Sequence, residues 1–168
     1  MSIEERDFAS ERELEDAVGR VASDCLRKAG KSAVIVRGYG LDLAVFSQVG
    51  CFFFEVKAFD PGHGRCGFGN QKGEGNQIRL LFDSGLGRPR QSEELALFNR
   101  SIRWILGDRS KQHGAARYAF FTSQQAQAAA AGGVRPGKQN NLRISAFEHD
   151  WVTWAGLIDR VNNFLLNS

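Results

Sequence analysis

Three ionisable residues stand out by type and spacing: Asp42, Glu55 and Lys57. Asp42 sits in Gly40-Leu41-Asp42-Leu43-Ala44-Val45-Phe46, and the other two in Cys51-Phe52-Phe53-Phe54-Glu55-Val56-Lys57. Both runs are rich in aromatic and β-branched residues, and Ser47-Gln48-Val49-Gly50 is a short polar turn, so the stretch predicts a β-hairpin. With Ser47 and Gly50 closing the turn, Leu43 faces Phe54 and Asp42 faces Glu55, while alternation puts Lys57 on the Glu55 face. Two carboxylates opposed at roughly 5 Å between Cβ atoms repel, so a sheet gains no stability from that pairing. A divalent cation between them removes the objection, and an all-oxygen site suits Mg²⁺, with Mn²⁺ as a substitute.

A third acid comes from the segment before the hairpin. Ser10 is a candidate N-cap and Glu13, three residues on, completes a capping box. Leu14, Ala17, Val18, Val21, Cys25 and Leu26 follow at helical spacing, and Gly30 is a candidate C-cap. Glu11 stands one turn before Leu14 on the same stripe, so its carboxylate points along the buried face, an awkward place for an acid unless something binds it. Glu15 is the substitute one turn later. The plainer alternative is that both acids only favour the positive end of the helix dipole.

Asp42-x12-Glu55-x-Lys57, with a glycine shortly before the Asp, resembles the PD-(D/E)XK nuclease superfamily. The nearest likeness is to archaeal-type Holliday junction resolvases, through the opening Glu11-Arg12-Glu13-Leu14 run and the strands after it. Leu41 stands where the family name has Pro. The resemblance implies that Asp42, Glu55, the main-chain carbonyl of Val56 and Glu11 hold the metal. It implies that Lys57 positions or activates the attacking water, and that the molecule is a homodimer. It also implies a glutamine after the Glu-x-Lys strand, for which Gln71 and Gln77 are alternatives.

Composition fits that chemistry and excludes others. The chain has 168 residues, 42% of them hydrophobic and 13 of them phenylalanine, which suits a single folded domain over residues 1–168 and argues against disorder. No apolar run approaches the roughly 20 residues needed to span a bilayer, and the acidic N-terminus is unlike a signal peptide, so no membrane partner is expected. Three cysteines without a CxxC pair point to a reducing, cytoplasmic setting. The net charge of +3 hides an uneven distribution: residues 61–147 carry 13 bases against 5 acids, mostly as arginine. A basic middle beside an acidic site is the pairing a DNA backbone requires, although an ordinary solvated surface has the same composition.

The remaining segments must build the frame. Ser32-Ala33-Val34-Ile35-Val36-Arg37 reads as the first strand. The glycine-rich run from Asp60 to Gly75 reads as a mobile loop over nucleic acid, with Arg65, Gln71 and Lys72 as DNA contacts and Gln77 and Arg79 just beyond. Its GxGxxG match at Gly62, Gly64 and Gly67 lacks a following βαβ unit, and His63 with Cys66 lacks a second ligand pair, so neither a dinucleotide nor a zinc site is expected. Ser92 predicts a helix running through Gly107, with Leu95, Phe98, Ile102 and Ile105 as its apolar stripe. A strand over Ala116–Thr122, a short helix over Gln124–Ala131, a strand over Leu142–Phe147 and a helix capped by Asp150 complete the chain. The expected architecture is α/β, a central mixed sheet of about five strands flanked by helices, and the resemblance makes it restriction-endonuclease-like. The expected activity is a Mg²⁺-dependent DNA endonuclease, junction-directed or of a restriction, repair or toxin kind. The alternative is a nuclease-fold nucleic-acid-binding or assembly module without catalysis.

Overall fold

A computed structural model describes residues 8–37, 42–59, 65–68, 100–108, 116–129 and 140–167. Helix α1 spans Glu11–Lys28, with Ser10 as its N-cap: the Ser10 hydroxyl accepts from Glu13 N at 3.2 Å. The Glu13 carboxylate accepts from Ala9 N at 2.7 Å, one residue earlier than in a standard capping box. The helix ends in a Schellman motif, with Lys31 N donating to Leu26 O and Gly30 N to Arg27 O. Gly30 sits at φ 71°, a conformation that costs glycine nothing and side-chain-bearing residues a good deal.

Strands β1 (Ala33–Arg37), β2 (Leu43–Ser47) and β3 (Gly50–Phe59) form an antiparallel meander. The hairpin register is the one expected: Ser47 pairs with Gly50 and Leu43 with Phe54. Strand β4 (Arg65–Phe68) is followed by β5 (Ile102–Asp108), β6 (Arg117–Phe121), α2 (Ser123–Ala129) and β7 (Asn140–Arg143). A 3₁₀ turn (Ile144–Phe147) and helix α3 (Trp154–Asn167) close the chain. The main sheet has five strands in the order β1-β2-β3-β5-β6; β3 and β5 run parallel and the other pairs antiparallel. The sheet is therefore mixed, with helices on its faces, as expected.

Its membership differs from the expectation in two places. Ile102–Asp108 is a strand at the heart of the sheet, where the sequence predicts the end of a helix. Every residue of β5 except Arg103 is buried, because a parallel strand covered on both faces is apolar throughout and does not alternate. Ile102 and Ile105, three apart, imitate helical spacing. The expected strand over Leu142–Phe147 is instead the end of β7 plus the 3₁₀ turn, and β7 pairs with β4 in a separate two-stranded ribbon. Residues 65–68 are accordingly strand, not loop. The terminal helix starts at Trp154, and Thr153 rather than Asp150 supplies its cap, accepting from Gly156 N at 3.3 Å.

Two cores sandwich the sheet. On one face α1 and α3 bury Leu14, Leu26, Val45, Phe54, Val56, Tyr118 and Phe164. On the other, α2, the β4–β7 ribbon and the 3₁₀ turn close over Ile102, Trp104, Leu106, Phe121, Leu142 and Phe147. Gly107 is the point of closest approach to α1, since a Cβ there would lie 2.6 Å from Leu14 Cδ2.

Candidate metal centre

The site lies where β3 outlasts its neighbour. Strand β2 starts at Leu43, opposite Phe54, so beyond that point the side of β3 facing β2 has no partner strand among the described residues. Backbone groups of alternate residues point that way, and two carboxylates take them up. Asp42, just before β2, accepts from Val56 N at 2.7 Å through Oδ2; Glu11, the first residue of α1, accepts from Ala58 N at 3.1 Å through Oε2. Glu11 thus reaches the hairpin from the face opposite to the one Glu55 occupies.

Lys57 draws the acids together. Its Nζ lies 3.0 Å from Glu55 Oε1, 3.2 Å from Asp42 Oδ2, 3.3 Å from Glu11 Oε1 and 3.0 Å from the Val56 carbonyl oxygen. The repulsion expected between Asp42 and Glu55 is relieved here by this ammonium. Three carboxylates around one lysine leave a net charge of −2 when all are ionised, and Glu15 adds to it: one of its oxygens lies within 4.8 Å of an oxygen on each of Glu11 and Asp42.

The protonation equilibria follow from burial and that charge. Glu55 is 3% exposed, and its carboxyl is pushed up to about 7, chiefly by burial, against the pull of Lys57 and with the further push of Asp42 and Glu11. Burial works to lower the Lys57 ammonium, but its three carboxylate neighbours outweigh this and hold it protonated far above neutrality. Glu15 is raised by partial burial and by Asp42 and Glu11. Burial also pushes the nearby Cys66 thiol up to about 12, which makes it a core side chain rather than a nucleophile.

The four oxygens around Lys57 Nζ are a donor set that suits a hard divalent cation, three carboxylates plus a main-chain carbonyl. They belong to Asp42, Glu55, Glu11 and Val56, the residues the sequence singled out. Glu15 joins Glu11 and Asp42 at the rim. What the sequence did not disclose is that the lysine sits among the acids instead of beside them. Of the expected DNA contacts, Arg65 opens β4, while Gln71, Lys72, Gln77 and Arg79 lie outside the described residues. No helix among the described residues is long and apolar enough to cross a membrane. Comparison of the chain with known protein families, with curated proteins and with solved structures finds no match.

Proposed function

We propose that the chain is a metal-dependent deoxyribonuclease of the PD-(D/E)XK type, with a restriction-endonuclease-like arrangement, working in a reducing cytoplasm. The observation that carries this reading is the convergence of Glu11 Oε1, Asp42 Oδ2, Glu55 Oε1 and the Val56 carbonyl within 3.3 Å of one point at the open ledge of β3. Those four groups would hold Mg²⁺ or Mn²⁺, which would activate water and offset charge building on the scissile phosphate.

The chain's own residues define the rest. Asp42 and Glu11 are each fixed through one carboxylate oxygen to a β3 amide, and each turns an oxygen toward the centre. Lys57, held protonated by its neighbours, serves as a positive charge for water or phosphate rather than as a base. The arginine-rich middle of the chain supplies the phosphate contacts.

A second reading has one observation in its favour: Lys57 already compensates part of the acidic charge without a metal, as a binding module that had given up catalysis would need. One assay separates the two. Plasmid, linear duplex, single-stranded and four-way-junction DNA are incubated with the protein in Mg²⁺, Mn²⁺ or EDTA. The nuclease reading expects metal-dependent cleavage that Asp42→Asn or Glu55→Gln abolishes while DNA binding survives. Binding without cleavage under every condition favours the module, and full cleavage by Asp42→Asn rejects the site.

A further inference from the structure

Lys57 and the metal are assigned to the same four oxygens. An ammonium fills such a cage with N···O contacts near 3 Å, as here, whereas Mg²⁺ draws oxygens to about 2.1 Å. Two cations cannot share one cage: at hydrogen-bonding distance, in a largely buried site, their repulsion is severe. If the cage takes a divalent ion, the ammonium has to leave it.

The structure also supplies a place for it to go. Glu15 lies one turn along α1 from Glu11 and is half-buried at the rim of the cage. One of its oxygens is within 4.8 Å of an oxygen on each of Glu11 and Asp42, two of the acids that flank Lys57. Unlike those of the other three acids, its carboxylate makes no hydrogen bond or close ion pair with any described residue, although the charges of Lys57 and Arg37 reach it. Glu15 is close enough to Lys57 for the two charges to interact, and rotation about the four-carbon stem lets the ammonium turn toward it.

We propose that Lys57 is the resident cation of this cage, that a divalent ion takes its place, and that the ammonium then passes to Glu15. The inference rests on the metal-centre reading above and adds a role for two side chains. Lys57 keeps the acids together while no metal is bound, and Glu15, a positioning residue, draws the lysine to the rim. The same relocation would carry the positive charge toward the side from which a phosphate arrives.

Mn²⁺ titration by calorimetry tests this in the wild type, Lys57→Met, Glu15→Gln and the double variant. Removing the resident cation should tighten Mn²⁺ binding by roughly ten-fold or more, because competition ends. Glu15→Gln should weaken binding by a few-fold in the wild type and have no effect in Lys57→Met. Equal or weaker binding by Lys57→Met overturns the exchange. A Glu15→Gln effect that persists without Lys57 overturns the relocation and makes Glu15 a metal ligand. Absence of Mn²⁺ binding in every protein, wild type included, rejects the metal-centre reading itself and the exchange with it.

A measurement on wild-type protein covers the case in which Lys57→Met does not fold. The Lys57 side chain is 14% exposed, so it should resist acylation by acetic anhydride in EDTA. It should react several-fold faster at saturating Mg²⁺, with exposed Lys28 unchanged as the reference. Protection of Lys57 that does not change with Mg²⁺ overturns the proposal.

Discussion

Replacing Glu55 by Gln should stabilise the metal-free protein at alkaline pH and leave it unchanged in acid. The buried carboxyl is moved from 4.5 up to about 7, with burial the largest cause. Between those values the folded chain holds a proton that the unfolded chain has released. Stability from this group is therefore fully present below pH 4.5 and is lost as pH rises through about 7. A gap of about two and a half units at roughly 1.4 kcal/mol each makes an ionised Glu55 cost about 3 kcal/mol. Gln keeps the shape and an oxygen for Lys57 but forfeits some attraction to the ammonium, so the net gain at about pH 8.5 is ~1–3 kcal/mol. For a chain of this length that is a rise of roughly 2–10 °C in Tm. Calorimetric melts of both proteins in EDTA, from about pH 4.5 to 8.5, read it directly. Parallel pH profiles, or a variant less stable than wild type at alkaline pH, would refute the argument. Mg²⁺ should erase the difference by stabilising only the wild type.

Other expectations follow from the frame around the site. Gly107→Ala places a methyl group 2.6 Å from Leu14 Cδ2, beside the Ala58 whose amide holds Glu11. It should cost about 1–3 kcal/mol by urea denaturation and weaken Mn²⁺ binding, since the fully buried Leu14 side chain must give way in the same turn of α1 that carries Glu11. Arg65→Ala with Lys72→Ala should weaken DNA binding and reduce its salt slope by up to about two, with Mn²⁺ affinity unchanged because the proposed ligands lie on the hairpin and α1. A wild-type salt slope in that double variant would move the DNA contacts to the basic residues from Arg88 to Arg117.

How far the sequence could be read depended on how local the determining contacts are. The hairpin register follows from a turn and two apolar runs only a few residues apart, so the pairing of Leu43 with Phe54, which brings Asp42 to the Glu55 end of β3, was legible. The stripe that places Glu11 and Leu14 on one side of α1 was legible for the same reason. The strand Ile102–Asp108 was not, because its continuous apolar character comes from burial beneath layers distant in sequence. The ribbon of β4 and β7 joins residues far apart in the chain, and glycines around Arg65–Phe68 hide the first of its strands. At the site, residue types singled out Glu11, Asp42, Glu55 and Lys57, and the fold brings these four side chains together. The position of Lys57 among them depends on β3 running past β2, which is a property of strand lengths and not of any motif.

That overhang bears on solubility as well as chemistry. Among the described residues the N–H groups of Val56 and Ala58 face no partner strand, and such a short edge invites another chain to add one. Asp42 and Glu11 cover it with negative charge. Asp42 and Glu11 are therefore expected to guard the molecule against edge-to-edge aggregation. Asparagine at position 42 can still accept from the Val56 amide, whereas alanine leaves that amide bare. Light scattering on concentrated protein should accordingly find Asp42→Ala more prone to self-associate than Asp42→Asn, although both lack the ligand charge. The same residues that would cut a phosphodiester backbone keep one sheet from being extended by the next.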